Sequence, residues 1–536
     1  MSSRSRWRKI CFAFLLLALL PLLAGCSSEG SGDRELVYAL QSDVTSLDPI
    51  RATDDPSRLV TTQVFETLVA FDKNLEPKPL LAESWERNED ATRWTFELRP
   101  GVYFHKDSSF DNSDSTRVMR AQDVAYSINR LLDDTTSLGA WILSDLLVSG
   151  GAETRPGVQV LDSLTVAFNL RRSYANFPAR LSLPFTAIVP REAVKSYGKE
   201  FSSHPVGTGP FRAEDIALAS DRVALTRNEN YWRSIDTNLD RVVFQTSQSL
   251  QSILGSFRSG EIEAFELEPA TAGRVVSQGE LTSQYSDAHL ITRPLLKVHF
   301  VGFHLGVEMN QDRSFRRAVN YAINKEELTS TVLNGLAAPA TGPLPPGIMG
   351  SATEVPYPYN PDSARALLKR SDYDGSPITY MTNNSTGSVA VAEYLESQLG
   401  EYGINLQIEE NSESVWIDRL VKGDFEWAKL YFSLDYPAPD NPLSQFLTSN
   451  AAPDGPNFIQ YSNSTFDRLY DRALQEPNPD SAATLYSRMN EIIRRDAPWL
   501  FLYVPERTIV AGEGVDGIRI NSLPFSLYLD EVEISQ

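Results

Sequence analysis

Between Pro79 and Arg130 the chain dictates its local topology more tightly than anywhere else. In Trp94-Thr95-Phe96-Glu97-Leu98, Trp94, Phe96 and Leu98 share one face of a strand while Thr95 and Glu97 face away, so a half-buried strand is predicted. Arg99-Pro100-Gly101-Val102 follows. Pro sets φ at the second turn position and Gly is free to take positive φ at the third, as a type II turn requires. A return strand with Val102 and Phe104 inward is the expected consequence. After an irregular polar loop, Val124, Ile128, Leu131 and Leu132 recur at helical spacing between Asp123 and Leu132, which predicts a helix. The unit reads as hairpin, loop, helix.

The residue identities say more than the periodicities. Leu81-Ala82-Glu83-Ser84-Trp85, Thr95-Phe96-Glu97-Leu98-Arg99-Pro100-Gly101-Val102-Tyr103-Phe104-His105 and Asp123-Val124-Ala125-Tyr126-Ser127-Ile128-Asn129-Arg130 together resemble the signature of the peptide-type, family 5 solute-binding proteins of ABC transporters. Two departures stand out. Arg120 occupies a position where the family usually has a helix-capping Thr, and a longer loop from Lys106 to Met119 replaces a short Asp-Gly turn. Further matches are Ser46-Leu47-Asp48-Pro49, Phe65-Glu66-Thr67-Leu68, His204 to Phe211, Leu225 to Trp232, Gly260 to Ala264 and Arg316 to Lys325.

The resemblance implies an α/β fold of the periplasmic-binding-protein-like II type: two lobes with a hinge, built from three domains of which the first is discontinuous. The expected boundaries are 35–78, 190–296 and 500–536 for domain I, 79–189 for an inserted domain II and 297–499 for domain III. Within this frame the sequence predicts a strand over Leu36–Leu40, a helix from Pro56 to Phe71, an amphipathic stripe of Phe315, Ala318, Val319, Ala322 and Ile323, a Pro- and Gly-rich connection from Pro339 to Pro361, and late elements at Leu485–Ile493 and Trp499–Val504. Two passages between the lobes follow, which makes a hinge.

The N-terminus carries Arg4, Arg6, Arg8 and Lys9, then an apolar run of 14 residues from Ile10 to Leu23, then Leu23-Ala24-Gly25-Cys26. This reads as a secretory leader over 1–25 with a lipobox, since the run falls short of the roughly 20 residues needed to span a bilayer. The lipobox resembles that of bacterial lipoproteins and implies a lipid on Cys26, with 26–34 as a flexible Ser/Gly-rich tether. More than one acyl chain gives stable anchoring. The chain of 536 residues has a net charge of −21; the leader holds four of the 49 basic residues and no acidic one, leaving 45 basic against 70 acidic residues. Such a balance argues against nucleic acid as partner. The two cysteines are Cys11, in the leader, and Cys26, so the exported body has no disulfide.

No Gly-x-Ser-x-Gly elbow, His-Glu-x-x-His or phosphate loop is found; the Gly207-Thr208-Gly209 pair reads as a turn with close backbone approach, because Arg212 and the absence of a following Gly-Lys-Ser/Thr exclude a phosphate loop. His299 and His304, five apart on a predicted strand, fall on opposite faces. Asp107, Asp111 and Asp114 lack the ligand alternation of a calcium loop. No cofactor, metal or catalytic residue is expected, and the chain is read as not an enzyme.

The segment Phe425 to Asn441 resembles the family's strand and loop in which a Trp and an Asp face the cleft, the Asp pairing with the α-amino group of a bound peptide. By position the resemblance assigns that carboxylate to Asp435, with Phe432 in place of the Trp and Ala438 in place of a common Asp. Tyr431, Tyr436 and, on a separate element, Trp416 complete the expected ligand-binding set. The implied function is that of an extracytoplasmic, lipid-anchored monomer that delivers peptides to ABC permease and ATPase subunits. The alternatives are a non-peptide solute such as a metal chelate, sugar or opine, or a role as peptide-holding chaperone or signalling receptor.

Overall fold

The computed structural model of the chain describes residues 34–111, 115–148, 156–218, 222–247, 249–453 and 455–535. The leader, Cys26 and Asp114 lie outside the described residues.

One strand ties the molecule together. Trp499–Ala511 runs for 13 residues, nearly all buried, and its near-continuous apolar sequence is what a strand covered on both faces requires. Its first part pairs antiparallel with Lys297–Phe303, from Gly302 opposite Trp499 to His299 opposite Tyr503. Its second part pairs with Ala264–Leu267 on one side and with His289–Pro294 on the other. The chain thus passes between the two lobes twice, side by side, through Leu295-Leu296 and through Val504-Pro505.

A single 12-stranded mixed sheet results. On the lobe-one side Ala264–Leu267 is followed by Glu35–Leu40, Arg241–Thr246, Arg222–Arg227 and Phe211–Ala217; on the lobe-two side Lys297–Phe303 is followed by Trp427–Ser433, Ile378–Asn383 and Leu406–Asn411. The stripe predicted from Phe315 onward is buried on the helix Arg313–Ala322, and the late helix spans Pro479–Asp496. Among the described residues no helix is long and apolar enough to cross a membrane.

A separate antiparallel sheet, Ala82–Arg87, Arg93–Leu98, Thr165–Asn169 and Val158–Val160, lies in lobe one. Trp94, Phe96 and Leu98 are buried as their alternation demands, and Phe96 meets Phe168 edge-on at 5.5 Å. Gly101 takes φ +74°, as the turn requires. The return segment differs from expectation. Val102 and Phe104 are buried, yet only an isolated bridge forms, between Tyr103 and Val118, because the backbone bonds are taken elsewhere: Phe104 N donates to Arg117 O and His105 N to Gly207 O. The partners of Arg93–Leu98 are Ala82–Arg87 and Thr165–Asn169. Helix Ala121–Asp133 begins at Arg120 without a capping hydroxyl; the Asp123 carboxylate instead accepts from Arg120 N at 2.9 Å.

The helix expected over Pro56 to Phe71 also ends early, spanning Asp55–Val64 before Phe65 turns extended. The Gly207-Thr208-Gly209 turn explains the stop. Gly209 N donates to Val64 O at 2.9 Å, and a Cβ on Gly207 would collide with that same carbonyl. The glycines are there so that one backbone can seat against the end of another.

Candidate functional site

Beside the two crossing strands the lobes face each other across a cavity of about 290 Å³. Lobe one contributes Asp55 and Leu59 from the start of helix Asp55–Val64, together with Glu266 from the strand Ala264–Leu267 and Glu268 just after it. Lobe two contributes Lys297, His299 and Lys429. Glu266 is neutralised within its own lobe by the fully buried Arg507, Nε to Oε2 at 3.1 Å. Glu268 sits against Gly387 at the N-terminus of helix Thr386–Gly400, where a Cβ would come within 3.0 Å of its carboxylate; the helix dipole favours a negative charge there.

The lobe-two wall is set by strand register. His299 lies opposite Tyr431 and Val301 opposite Lys429, so strand alternation puts Lys297, His299, Tyr431 and Lys429 on one face. Lys297 Nζ stands 4.2 Å from the centroid of the Tyr431 ring and Lys429 Nζ 5.7 Å from it. Lys429 also donates to Asn383 Oδ1 at 3.1 Å and lies 5.6 Å from the Trp416 ring. Among the described residues no carboxylate comes within 4 Å of either ammonium. Burial pushes the Lys429 ammonium down to about 8, Glu413 and Glu268 opposing the shift and Lys297 adding to it; burial lowers Lys297 as well, against the more distant carboxylates of Asp55, Glu268, Glu266 and Glu413. His299, desolvated and facing both lysines, is held well below the ordinary histidine value and is neutral at pH 7; its ring stacks on Tyr503 at 4.5 Å.

The residues named from sequence fall into two groups. Tyr431 is partly exposed and Trp416 stacks against it at 6.5 Å; neither lines the cavity itself, but both rings lie beside the lysines that do. Phe432, one residue on, is half-buried and packs into the core, and Tyr436 is 2% exposed. Asp435 makes a contact between the lobes: its Oδ1 lies 3.4 Å from Nη1 of Arg58 on helix Asp55–Val64. Burial raises the Asp435 carboxyl, Arg58 offsets part of this, and Asp55 is near enough to raise it further.

A second interlobe contact centres on Asp440, which is 2% exposed. Its Oδ2 accepts from Tyr174 Oη and Tyr436 Oη, both at 3.0 Å, and lies 3.7 Å from Nη2 of Arg180. Sequence reasoning missed Lys297, Lys429 and Asp55. For the lysines a signal existed: each interrupts an otherwise apolar strand, in Leu295-Leu296-Lys297-Val298 and Trp427-Ala428-Lys429-Leu430. His299 and His304 belong to no metal cluster among the described residues. A second cavity, of about 320 Å³, lies beyond the C-terminal end of helix Asp55–Val64 and is walled mainly by the segments Phe65 to Leu80 and Ile518 to Asp530; it does not face both lobes.

Comparison with known proteins agrees with this architecture. The chain is 27% identical over 498 residues to the glutathione-binding protein GsiB of Salmonella paratyphi A, covering 91% of this chain and 92% of that protein. The structure of the periplasmic binding protein DppA from Helicobacter pylori, in complex with the peptide STSA, superposes with a TM-score of 0.75 at 26% identity, covering 94% of this chain and 98% of that one. The ABC transporter substrate-binding protein CtaP from Listeria monocytogenes superposes with a TM-score of 0.80 at 20% identity, covering 94% and 99%, which speaks to the fold alone. Residues 76–454 match the profile described as "Bacterial extracellular solute-binding proteins, family 5 Middle". The chain therefore belongs to family 5 of the bacterial extracellular solute-binding proteins, the substrate-binding components of ABC importers.

Proposed function

We propose that this protein is an extracytoplasmic lipoprotein, anchored through Cys26, that takes a short peptide into the interlobe cavity and delivers it to an ABC permease. The observation that carries this reading is the separation of charge across the cavity. Asp55 stands on the lobe-one wall with Asp435 within its electrostatic reach, and the ammonium groups of Lys297 and Lys429 stand on the lobe-two wall. A peptide with free ends has one cation and one anion to place, and this arrangement offers a partner for each. At about 290 Å³ the cavity matches the lower end of ligand pockets, so a peptide of two or three residues fits better than a long one. Proteins similar in sequence are named for binding glutathione, and a similar structure holds the peptide STSA, which supports the same reading.

In this reading the domain limits at 79–189 and 297–499 bound the moving parts, and Asp435 takes the ligand's ammonium in competition with Arg58. Calorimetry with one tripeptide, free and N-acetylated, tests it. The free peptide binds, and acetylation weakens binding at least about tenfold, or 1.4 kcal/mol. Equal affinity for the two forms would show that no carboxylate of the cleft reads the amino end, and mass spectrometry of ligands released from the purified protein would then identify a different solute.

A further inference from the structure

Lys297 and Lys429 pose a question that a peptide with a single carboxylate leaves half answered. Both ammonium groups are half-buried, both flank the ring of Tyr431, at 4.2 and 5.7 Å, and neither has a carboxylate within 4 Å among the described residues. Glu413, which accepts from Asn383 Nδ2 at 2.5 Å, favours both ammonium groups only from beyond ion-pair distance. His299, on the same face, contributes no negative charge, and Tyr431 and Trp416 contribute apolar surface. Removing two like charges from water side by side is costly unless a counter-charge arrives. In a chain of net charge −21, the two lysines share one wall of the cavity without an ion pair among the described residues, Lys429 being held only by Asn383 Oδ1, while the carboxylates of Asp55, Glu266 and Glu268 line the same cavity at longer range.

We infer that Lys297 and Lys429 form a subsite for two carboxylates, so that the cleft selects short peptides carrying an acidic group in addition to the terminal carboxylate over neutral and basic ones. The inference rests on the peptide reading above and sharpens it to a ligand class: one ammonium towards Asp55 and Asp435, two carboxylates towards the lysines. A second charge-assisted hydrogen bond at such a site corresponds to about a 10- to 100-fold gain in affinity.

The test is calorimetry with Ala-Ala-Ala, Ala-Ala-Asp and Ala-Ala-Lys on the wild type and on Lys429→Met and Lys297→Met. Ala-Ala-Asp binds the wild type at least about tenfold more tightly than Ala-Ala-Ala, and Ala-Ala-Lys binds most weakly. Each methionine variant, its fold checked by an unchanged circular dichroism spectrum, loses most of that advantage, so that Ala-Ala-Asp and Ala-Ala-Ala bind it within a few-fold of each other. Equal binding of the three peptides by the wild type would overturn the subsite and leave the peptide reading standing. Binding of none of them would overturn both.

Discussion

Replacing Asp440 by asparagine separates the energy of closing the lobes from the energy of folding them. The carboxylate belongs to lobe two, while Tyr174 and Arg180 belong to lobe one, and all three are buried where the lobes meet. Breaking a buried pair by removing one partner costs about 3–5 kcal/mol in general. Here three features reduce it. Arg180 keeps the carbonyl of Ile142 at 2.7 Å and Asp145 at 3.1 Å; Tyr436 is a partner from Asp440's own lobe; and Oδ1 of Asp440 has no hydrogen-bond partner, so the carboxylate gains solvation when the lobes part. The interlobe share is then close to one hydrogen bond to a charged group, about 2 kcal/mol. Since a ligand held between the lobes binds in proportion to the closed population, Asp440→Asn weakens peptide binding by up to about 30-fold. Tyr174→Phe, which removes the same hydrogen bond from the other side, gives a similar loss, and the double variant is little worse than either single one. Calorimetry supplies the affinities, and small-angle scattering of the ligand-free protein should show a larger radius of gyration in both variants. A fall in melting temperature with unchanged affinity and radius in Tyr174→Phe would refute the reasoning, because the contact would then persist in every state of the lobes.

Further outcomes follow from other parts of the molecule. Because Lys429 titrates near 8 when free and an anionic ligand favours its protonated form, affinity for acidic peptides is full below pH 8 and declines as pH rises through that value, by up to tenfold per unit; calorimetry at pH 7 and 9.5 checks this, and no change would place the anion elsewhere. Asp435→Asn weakens binding of free-amine peptides about 10- to 100-fold, with little effect on their N-acetylated forms, measured the same way. Gly207→Ala forces a methyl group into the Val64 carbonyl, costs about 1–3 kcal/mol and lowers the thermal midpoint followed by circular dichroism. Cys26→Ser abolishes incorporation of labelled lipid and moves the protein to the aqueous phase in detergent partitioning, with the body still folded.

How much was legible in the sequence depended on whether one strand or helix sufficed to specify the feature. The buried face of Arg93–Leu98, the stripe on Arg313–Ala322 and the close approach at Gly207 to Gly209 are local consequences of alternation, helical spacing and missing side chains, and they appear as read. The premature end of helix Asp55–Val64 was not legible, since the residues that stop it lie about 140 positions downstream. The same holds for the return segment at Val102 to Phe104, whose backbone partners come from Arg117 and Gly207. Resemblance singled out Asp435 by position, but only the folded chain brings Arg58 to it across 377 residues of sequence separation.

The short loop from Asp435 to Asp440 makes affinity and closure one process. Its first residue touches Arg58 and its last touches Tyr174 and Arg180, so every polar contact it makes across the lobes is formed by closing and lost by opening. A ligand ammonium that takes Asp435 replaces Arg58, and the loop remains held by Asp440 while it does so. Ligand that reaches this loop from the lobe-one wall gains contacts only in the closed form, and differential affinity of that kind is what shifts a two-state equilibrium. A compound bound only to Lys297 and Lys429 touches one lobe, binds open and closed forms alike and closes nothing. Acidic compounds lacking an ammonium, such as simple dicarboxylates, should therefore bind the wild type weakly without reducing its radius of gyration in scattering, whereas an acidic tripeptide at saturation reduces it. A dicarboxylate that compacts the protein as fully as the tripeptide would show that the lysine wall alone drives closure and that the loop is a passive latch.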